Sequence, residues 1–310
     1  MKIAILDDYQ NVIKDLDCMS LLEAHDVTIV SDILTPEKKI QALKEIEAVV
    51  LIRERTTIDE AFLAALPNLK VISQTGKISN HLDPEACRKY GVTVLEGVGS
   101  PVAPAELCWA LVMAASRHLV PYASRLEEGQ WQSSGPLGLG RTLAGLTFGI
   151  WGFGKIGQRI ARYASAFGMK VLVWGSEESR QKAIDAGYDA ASSKKMFFAQ
   201  SDVLSLHLRL HDTTKGIVTK DDLTQMKRDA LLVNISRAEL LEKGALVDAL
   251  RAGTPGFAAV DVFEQEPLAP SDPLLSMPNV LATPHIGYVE KNSYELYCRV
   301  AFENLLAYAS

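Results

Sequence analysis

Three side chains towards the end of the chain have the types needed to move a proton and steady a ketone. Arg237 stands in "LLVNISRAEL", Glu266 in "AAVDVFEQEP" and His285 in "TPHIGY". The forked donors of an arginine can hold a carboxylate and polarise a neighbouring carbonyl. An imidazole titrates near neutrality and can hand a proton to a developing alkoxide. A carboxylate beside it would stabilise the imidazolium. Each residue alone has an ordinary reading: Arg237 as a helix cap or a partner of Glu239, Glu266 as a loop carboxylate before Pro267, and His285 as a turn residue. Each also follows an apolar run, however. Parallel strands of one sheet bring such distant residues to a single edge. The chemistry the three share is reduction of a carbonyl that carries an acid group.

A hydride for that reduction needs a carrier, and the chain has a place for one. "FGIWGFGKIGQRIARYASAFGMKVLVW" holds a G-x-G-x-x-G at Gly152, Gly154 and Gly157, with Lys155 and Ile156 inside the turn. It follows an apolar strand, opens an amphipathic helix and is succeeded by a second strand, the setting of a dinucleotide site. An acid that binds the ribose is expected at the end of that second strand. Gly175 stands there instead, followed by Ser176 and Glu177. Glu177 would reach ribose hydroxyls, whereas Ser176 with Arg180 or Arg209 would accept a 2′-phosphate. Glu177 and Arg180 also read as solvated charges at a helix start. From these residues NAD and NADP both stay open.

The elements that must position these groups fall into two blocks of alternating strand and helix signals. The first has β-rich runs at "KIAIL", "HDVTIV", "IEAVVLIR", "LKVISQ" and "GVTVLEG". The second restarts near Gly145 with "TFGIWG", "KVLVW", "DVLSLHL", "ALLVNIS", "GFAAVDVF" and "NVLATPHI". Such alternation predicts βαβ units and parallel sheets. Between the blocks, Pro101 and Pro104 suit entry into a helix reaching about Leu119, apolar on nearly every face, which fits a core or a subunit interface. The stretch after His285 reads as a final helix that returns to the first block. The length of 310 residues suits two domains. A net charge of −6 speaks against non-specific nucleic-acid binding. Cys18, Cys87, Cys108 and Cys298 lack metal-ligand spacing and read as reduced thiols of a cytoplasmic chain. No apolar run is long enough for a membrane span, and no metal is expected.

With these motifs in place, the chain resembles the NAD(P)-dependent D-isomer-specific 2-hydroxyacid dehydrogenases, which include phosphoglycerate dehydrogenases and glyoxylate/hydroxypyruvate reductases. The likeness covers nearly the whole chain and rests on "GFGKIG", "NISR", "DVFEQEP" and "TPHIG" in the family's order and spacing. It implies a Rossmann-type doubly wound parallel sheet over residues 100–287, and a flavodoxin-like α/β substrate domain from residues 1–99 and 288–310. It implies that Arg237, Glu266 and His285 are the catalytic trio. Ile235 and Asp261 would line the nicotinamide side, and Thr214 would order the cofactor loop. Pro284 and Gly287 would set the backbone that presents His285. The resemblance favours NAD, a small 2-oxoacid or 2-hydroxyacid as the other ligand, and a homodimer joined through the cofactor domains.

Several positions depart from the family's pattern. Ala238 follows the catalytic arginine where a glycine is usual, and Arg209 replaces a proline near the expected adenosine. In "TGKISNHLD" the backbone N–H groups of Gly76, Lys77 and Ile78 are implied to grip the substrate carboxylate, yet Lys77 and Ile78 stand where a second glycine is common. "LIRERT" carries Arg53 and Arg55 at a strand end, where similar arginines of phosphoglycerate dehydrogenases meet a phosphate; a pair with Glu54 explains one of them equally well. The rival reading is a dinucleotide-sensing binding protein, like the corepressors that resemble this family. A short-chain dehydrogenase is excluded, since no tyrosine has a lysine four residues on.

Overall fold

The structure, a computed structural model, describes residues 1–309. Its chain separates into two units, Met1–Ser100 with Val289–Ser310, and Pro101–Tyr288. In the first unit the β-rich runs become β1 (Lys2–Leu6), β2 (Asp26–Ile29), β3 (Ala48–Leu51), β4 (Val71–Gln74) and β5 (Thr93–Leu95). They pair in parallel in the order β2-β1-β3-β4-β5, the flavodoxin order. β3 and β4 are buried along their whole length; β3 reads as an unbroken apolar run, whereas β4 closes on the buried polar pair Ser73 and Gln74. Helices α1 (Pro36–Leu43), α2 (Glu60–Ala65) and α3 (Pro84–Lys89) begin on side-chain caps. Thr35, Asp59 and Asp83 accept N–H groups that a first turn leaves without partners.

The second unit opens with α4 (Val102–Ser116) and α5 (Leu119–Glu127). It continues through β6 (Thr147–Trp151), α6 (Lys155–Ala166), β7 (Lys170–Trp174), α7 (Glu177–Asp185), β8 (Asp189–Ala190), α8 (Lys194–Gln200) and β9 (Val203–Leu206). After these come α9 (Lys220–Thr224), β10 (Leu231–Asn234), α10 (Ala245–Ala252), β11 (Phe257–Val260), α11 (Pro273–Ser276) and β12 (Val280–Ala282). The seven strands are parallel in the order β12-β11-β10-β9-β6-β7-β8. This is the Rossmann order with one strand added, and its direction of winding reverses between β6 and β9. The last helix, α12 (Lys291–Ala309), belongs to the first unit, where the Ser73 hydroxyl donates to the Ala301 carbonyl at 2.8 Å.

The apolar helix expected to reach Leu119 stops at Ser116. His118 takes a left-handed backbone, φ 52°, and the chain turns into α5. One face of α4 (Ala105, Cys108, Leu111 and Val112) packs against Phe148, Ile150 and Val233 of the sheet. Each buried leucine or valine there contributes roughly 1.5–3 kcal/mol. Among the described residues, no helix is long and apolar enough to cross a membrane.

Candidate active site

β10, β11 and β12 run in register, with Asn234 opposite Val260 and Val260 opposite Ala282. Their carboxyl ends are therefore level, and the residues just beyond them emerge side by side. His285 Nδ1 lies 2.6 Å from Glu266 Oε2, and Glu266 Oε1 accepts the Phe263 N–H at 2.9 Å. The imidazole and the carboxylate expected to stabilise its charged form are thus in direct contact, and both are partly exposed. The Tyr288 ring stands edge-on to the imidazole with 5.9 Å between centroids.

The turn that presents His285 has its left-handed residue at the histidine. The bend is centred on His285 itself, whose φ is 52° and whose N–H donates to the Thr283 carbonyl at 3.0 Å. Pro284 lies inside that hydrogen-bonded turn, and the Gly287 N–H fastens its far side to Asp261. Beneath the turn sits Asp261, fully buried. Its Oδ1 accepts the Thr283 hydroxyl at 2.6 Å and the Ile286 N–H at 2.9 Å, and its Oδ2 accepts the Gly287 N–H at 2.9 Å. Burial raises the Asp261 carboxyl above the usual range, and these hydrogen bonds pull partly the other way. Both oxygens are thus committed to the segment that carries His285. On the neighbouring strand end, Asn234 ties the "NISR" stretch together. Its Nδ2 donates to the Arg237 carbonyl at 2.8 Å and its Oδ1 accepts the Ser236 N–H at 3.0 Å. Arg237 is extended there, and its Nη1 donates to the Ser236 carbonyl at 2.6 Å. Ile235, between them, is buried. A polar residue closing an apolar strand was the only sign of Asn234's role in the sequence.

The glycine-rich turn lies where β6 enters α6. Gly154 is the N-cap of α6 with no side-chain cap, and the space where its Cβ would point is open. Lys155 and Ile156 form the first turn, where backbone N–H groups await an anion. A Cβ on Gly157 would lie 2.1 Å from the Gly152 carbonyl oxygen, so only glycine permits this helix-to-turn approach. The turn therefore fits a pyrophosphate. At the end of β7, Gly175 has φ +156°, and a Cβ there would meet the Ser179 Cβ at 3.2 Å. That strain explains why no acid stands at this position. Ser176 caps α7, accepting the Ser179 N–H at 3.2 Å, and the Arg180 guanidinium lies 5.0 Å from the centre of the Trp174 ring. Glu177 and Arg209 are exposed.

The Thr214 hydroxyl donates to the Arg209 carbonyl at 2.7 Å and accepts the His211 N–H at 2.8 Å, which closes the loop after β9. In that same segment the sequence reading passed over His207. Its carbonyl oxygen lies against Gly152, its Nε2 is 2.7 Å from Ser205 Oγ, and burial pushes its pKa down to about 4. Its neighbours in "DVLSLHL" gave only a strand signal.

The remaining candidates belong to the first unit. Arg53 has φ 55°, its N–H donates to Thr75 Oγ1 at 3.0 Å, and its Nε is 3.8 Å from Glu54. Its guanidinium lies directly over Gly76, where any Cβ would overlap it. Arg55 is engaged within the unit: Nη1 donates to the Asp7 carbonyl at 2.6 Å, Nη2 reaches the Tyr294 hydroxyl at 3.1 Å, and the group stacks on Tyr9. The Lys77 ammonium is 2.6 Å from Glu96 Oε2, and the Ile78 N–H donates to Glu96 Oε1 at 2.9 Å. Ile78 therefore gives to its own chain the donor that was expected to meet a substrate.

A doubly wound sheet with a glycine-rich turn beside its reversal point defines a dinucleotide-binding protein. Comparison with known proteins carries this further. Residues 109–287 match the family described as D-isomer specific 2-hydroxyacid dehydrogenase, NAD binding domain. A glyoxylate reductase of Korarchaeum cryptofilum is 33% identical over 94% of this chain and 89% of its own. A glyoxylate/hydroxypyruvate reductase B of Serratia proteamaculans is 33% identical over 96% of this chain and 92% of its own. The crystal structure of a phosphoglycerate oxidoreductase from Vibrio cholerae superposes with a TM-score of 0.98 at 63% identity, covering 100% of this chain and 99% of the other. The chain belongs to the D-isomer specific 2-hydroxyacid dehydrogenase family. It is an oxidoreductase, and its cofactor is a nicotinamide dinucleotide.

Proposed function

We propose that the protein interconverts a small 2-oxoacid and the D-2-hydroxyacid, with His285 as the acid/base, Glu266 as its partner and Arg237 binding the substrate. The observation that best supports this is the 2.6 Å contact between His285 Nδ1 and Glu266 Oε2, beside the strand end that bears Arg237. The dinucleotide, when bound, supplies or takes up the hydride. With Nδ1 held by the carboxylate, Nε2 is the atom that gives a proton to the forming alkoxide. Arg237 steadies the substrate and polarises its carbonyl oxygen. Asp261 acts one step back, by fixing the turn that carries His285.

On the coenzyme side, Gly152, Gly154 and Gly157 with the N–H groups of Lys155 and Ile156 take the pyrophosphate. Ile235 backs the nicotinamide and Thr214 holds the adjoining loop. Gly175 leaves the end of β7 without an acid, while Ser176, Ser179 and Arg180 surround it with hydroxyls and a cation. Those groups support a 2′-phosphate, and hence NADPH over NADH. The second unit is then the coenzyme domain and the first the substrate domain. In the first, Arg53 would meet an anionic tail, and the turn at Gly76 and Lys77 would take the carboxylate. The names of the relatives, which concern glyoxylate and hydroxypyruvate, support a short 2-oxoacid. Exposed apolar side chains on and after α5 support a homodimer, and four free cysteines suit the cytoplasm.

The test is oxidation of NADH and NADPH, side by side, with glyoxylate, hydroxypyruvate, pyruvate, phenylpyruvate and 3-phosphohydroxypyruvate. Turnover of at least one acid is expected, faster with NADPH at equal subsaturating concentration. Tight coenzyme binding without turnover of any acid would overturn the reading in favour of a dinucleotide-sensing role.

A further inference from the structure

We propose that Glu96 is a positioning residue for the substrate: its carboxylate fixes the Gly76–Ile78 turn so that the turn's remaining backbone N–H groups can receive the substrate's carboxylate. This rests on the reading above that the turn takes that carboxylate. Glu96 directly follows β5, the edge strand beside β4, and the turn directly follows β4. Three consecutive turn residues are tied to the Glu96–Gly97 pair. Glu96 Oε1 accepts the Ile78 N–H at 2.9 Å, and Oε2 holds the Lys77 ammonium at 2.6 Å. The Gly97 N–H donates to the Gly76 carbonyl at 2.9 Å. From behind, the Asn304 amide on α12 donates to the Glu96 carbonyl at 3.2 Å. The clamp is thus itself anchored to the body of the unit.

Two consequences follow from elementary geometry and charge. A trans peptide is planar with its C=O and N–H opposed. With the Gly76 carbonyl held towards Gly97, the Lys77 N–H of the same peptide must point the other way. Among the described residues, neither the Gly76 N–H nor the Lys77 N–H has an acceptor in the chain. These are the donors left for an incoming carboxylate. The second consequence concerns charge. Lys77 is the only cation in the turn, and Glu96 compensates it. The turn's own charges therefore cancel, and beside the Arg53 guanidinium that lies over Gly76 it offers the anion oriented dipoles. Removing Glu96 should loosen those dipoles before it affects the chemistry at His285.

The experiment compares Glu96→Ala and Glu96→Gln with wild type in steady-state reduction of glyoxylate and hydroxypyruvate. Glu96 is exposed, so both variants are expected to fold. Glu96→Ala should raise KM for the oxoacid about fivefold to twentyfold, with kcat within about twofold and KM for the coenzyme unchanged. Glu96→Gln keeps an acceptor for the Ile78 N–H and should return KM to within about threefold of wild type. A wild-type KM in Glu96→Ala overturns the proposal, as does a loss confined to kcat. Glu96→Gln as impaired as the alanine variant overturns it too, because the acceptor would then not be what matters. Wild-type protein that turns over no 2-oxoacid overturns the underlying reading instead, and wild-type turnover beside an unaffected Glu96→Ala overturns the role of Glu96 alone.

Discussion

His285 combines a left-handed backbone with a side chain held on one nitrogen, and neither constraint is supplied by the histidine itself. Outside glycine, asparagine and aspartate the left-handed region is sparsely used, so the surrounding bonds must over-determine it. Asp261 does this with three accepted hydrogen bonds, at 2.6, 2.9 and 2.9 Å. All three partners are donors, so Asp261→Asn would leave one acceptor oxygen for three donors and turn an NH2 group towards them. That variant should lose about 10- to 50-fold in kcat and about 1–3 kcal/mol of stability, read by steady-state rates and urea unfolding. Wild-type turnover in a folded Asp261→Asn protein would remove its positioning role. His285→Ala should cost ~10²- to 10⁴-fold in kcat, and Glu266→Gln should cost less because the imidazole stays in place. Retained activity in His285→Ala would end its assignment as the proton donor.

Among the elements, what could be read from the sequence depended on how the element is buried. β3, β4, β9 and β10 are buried at every position, so "AVVL", "VISQ", "VLSL" and "LLVN" could be seen without any structure. β8 is two residues, Asp189 and Ala190, at the sheet's edge, and nothing in its composition announces a strand. α4 ends three residues short of Leu119 because the left-handed turn falls on His118 and not on a glycine; Pro121, in the first turn of α5, is the only local marker of the break. The candidate site divided the same way. Arg237, Glu266 and His285 were legible because their types are unusual after apolar runs. The downward turn of Asp261's carboxylate and the hold of Glu96 on Ile78 are contacts through space, which spacing along the chain does not encode.

His207, the residue directly after β9, carries an element-scale prediction. Its folded pKa of about 4 lies below that of an unfolded histidine, so the unfolded chain binds more protons as the pH falls. The stability it contributes is therefore present near neutrality and is lost as the pH drops through ~6.5 towards 4. Between pH 7 and pH 5 the loss should be about 2 kcal/mol in urea unfolding, and His207→Asn should remove that part of the slope. An unchanged slope in His207→Asn would show that its ring is not kept neutral by the fold.

At the scale of the molecule, the glycine-rich turn, Arg237, Glu266, His285 and Asp261 all lie in the Pro101–Tyr288 unit. So does an apolar surface that neither the sheet nor its helices cover. Leu119 and Val120 are each 54% exposed, Leu126 56%, Trp131 78% and Leu139 91%. They are spaced along α5 and the segment after it, several large apolar side chains exposed within one stretch of chain. A second copy bearing the same run could cover it through a two-fold interface, in which one patch meets itself. Sedimentation equilibrium at micromolar concentration should therefore give twice the 33.9 kDa of one chain. Leu119→Asp combined with Trp131→Glu places two desolvation-costly charges on each side and should shift the protein to monomer. Coenzyme binding should survive in that monomer, since the glycine turn is complete within one chain. A wild-type protein that sediments as a monomer would mean that this surface meets something other than its own copy, and the double variant would then leave the mass unchanged.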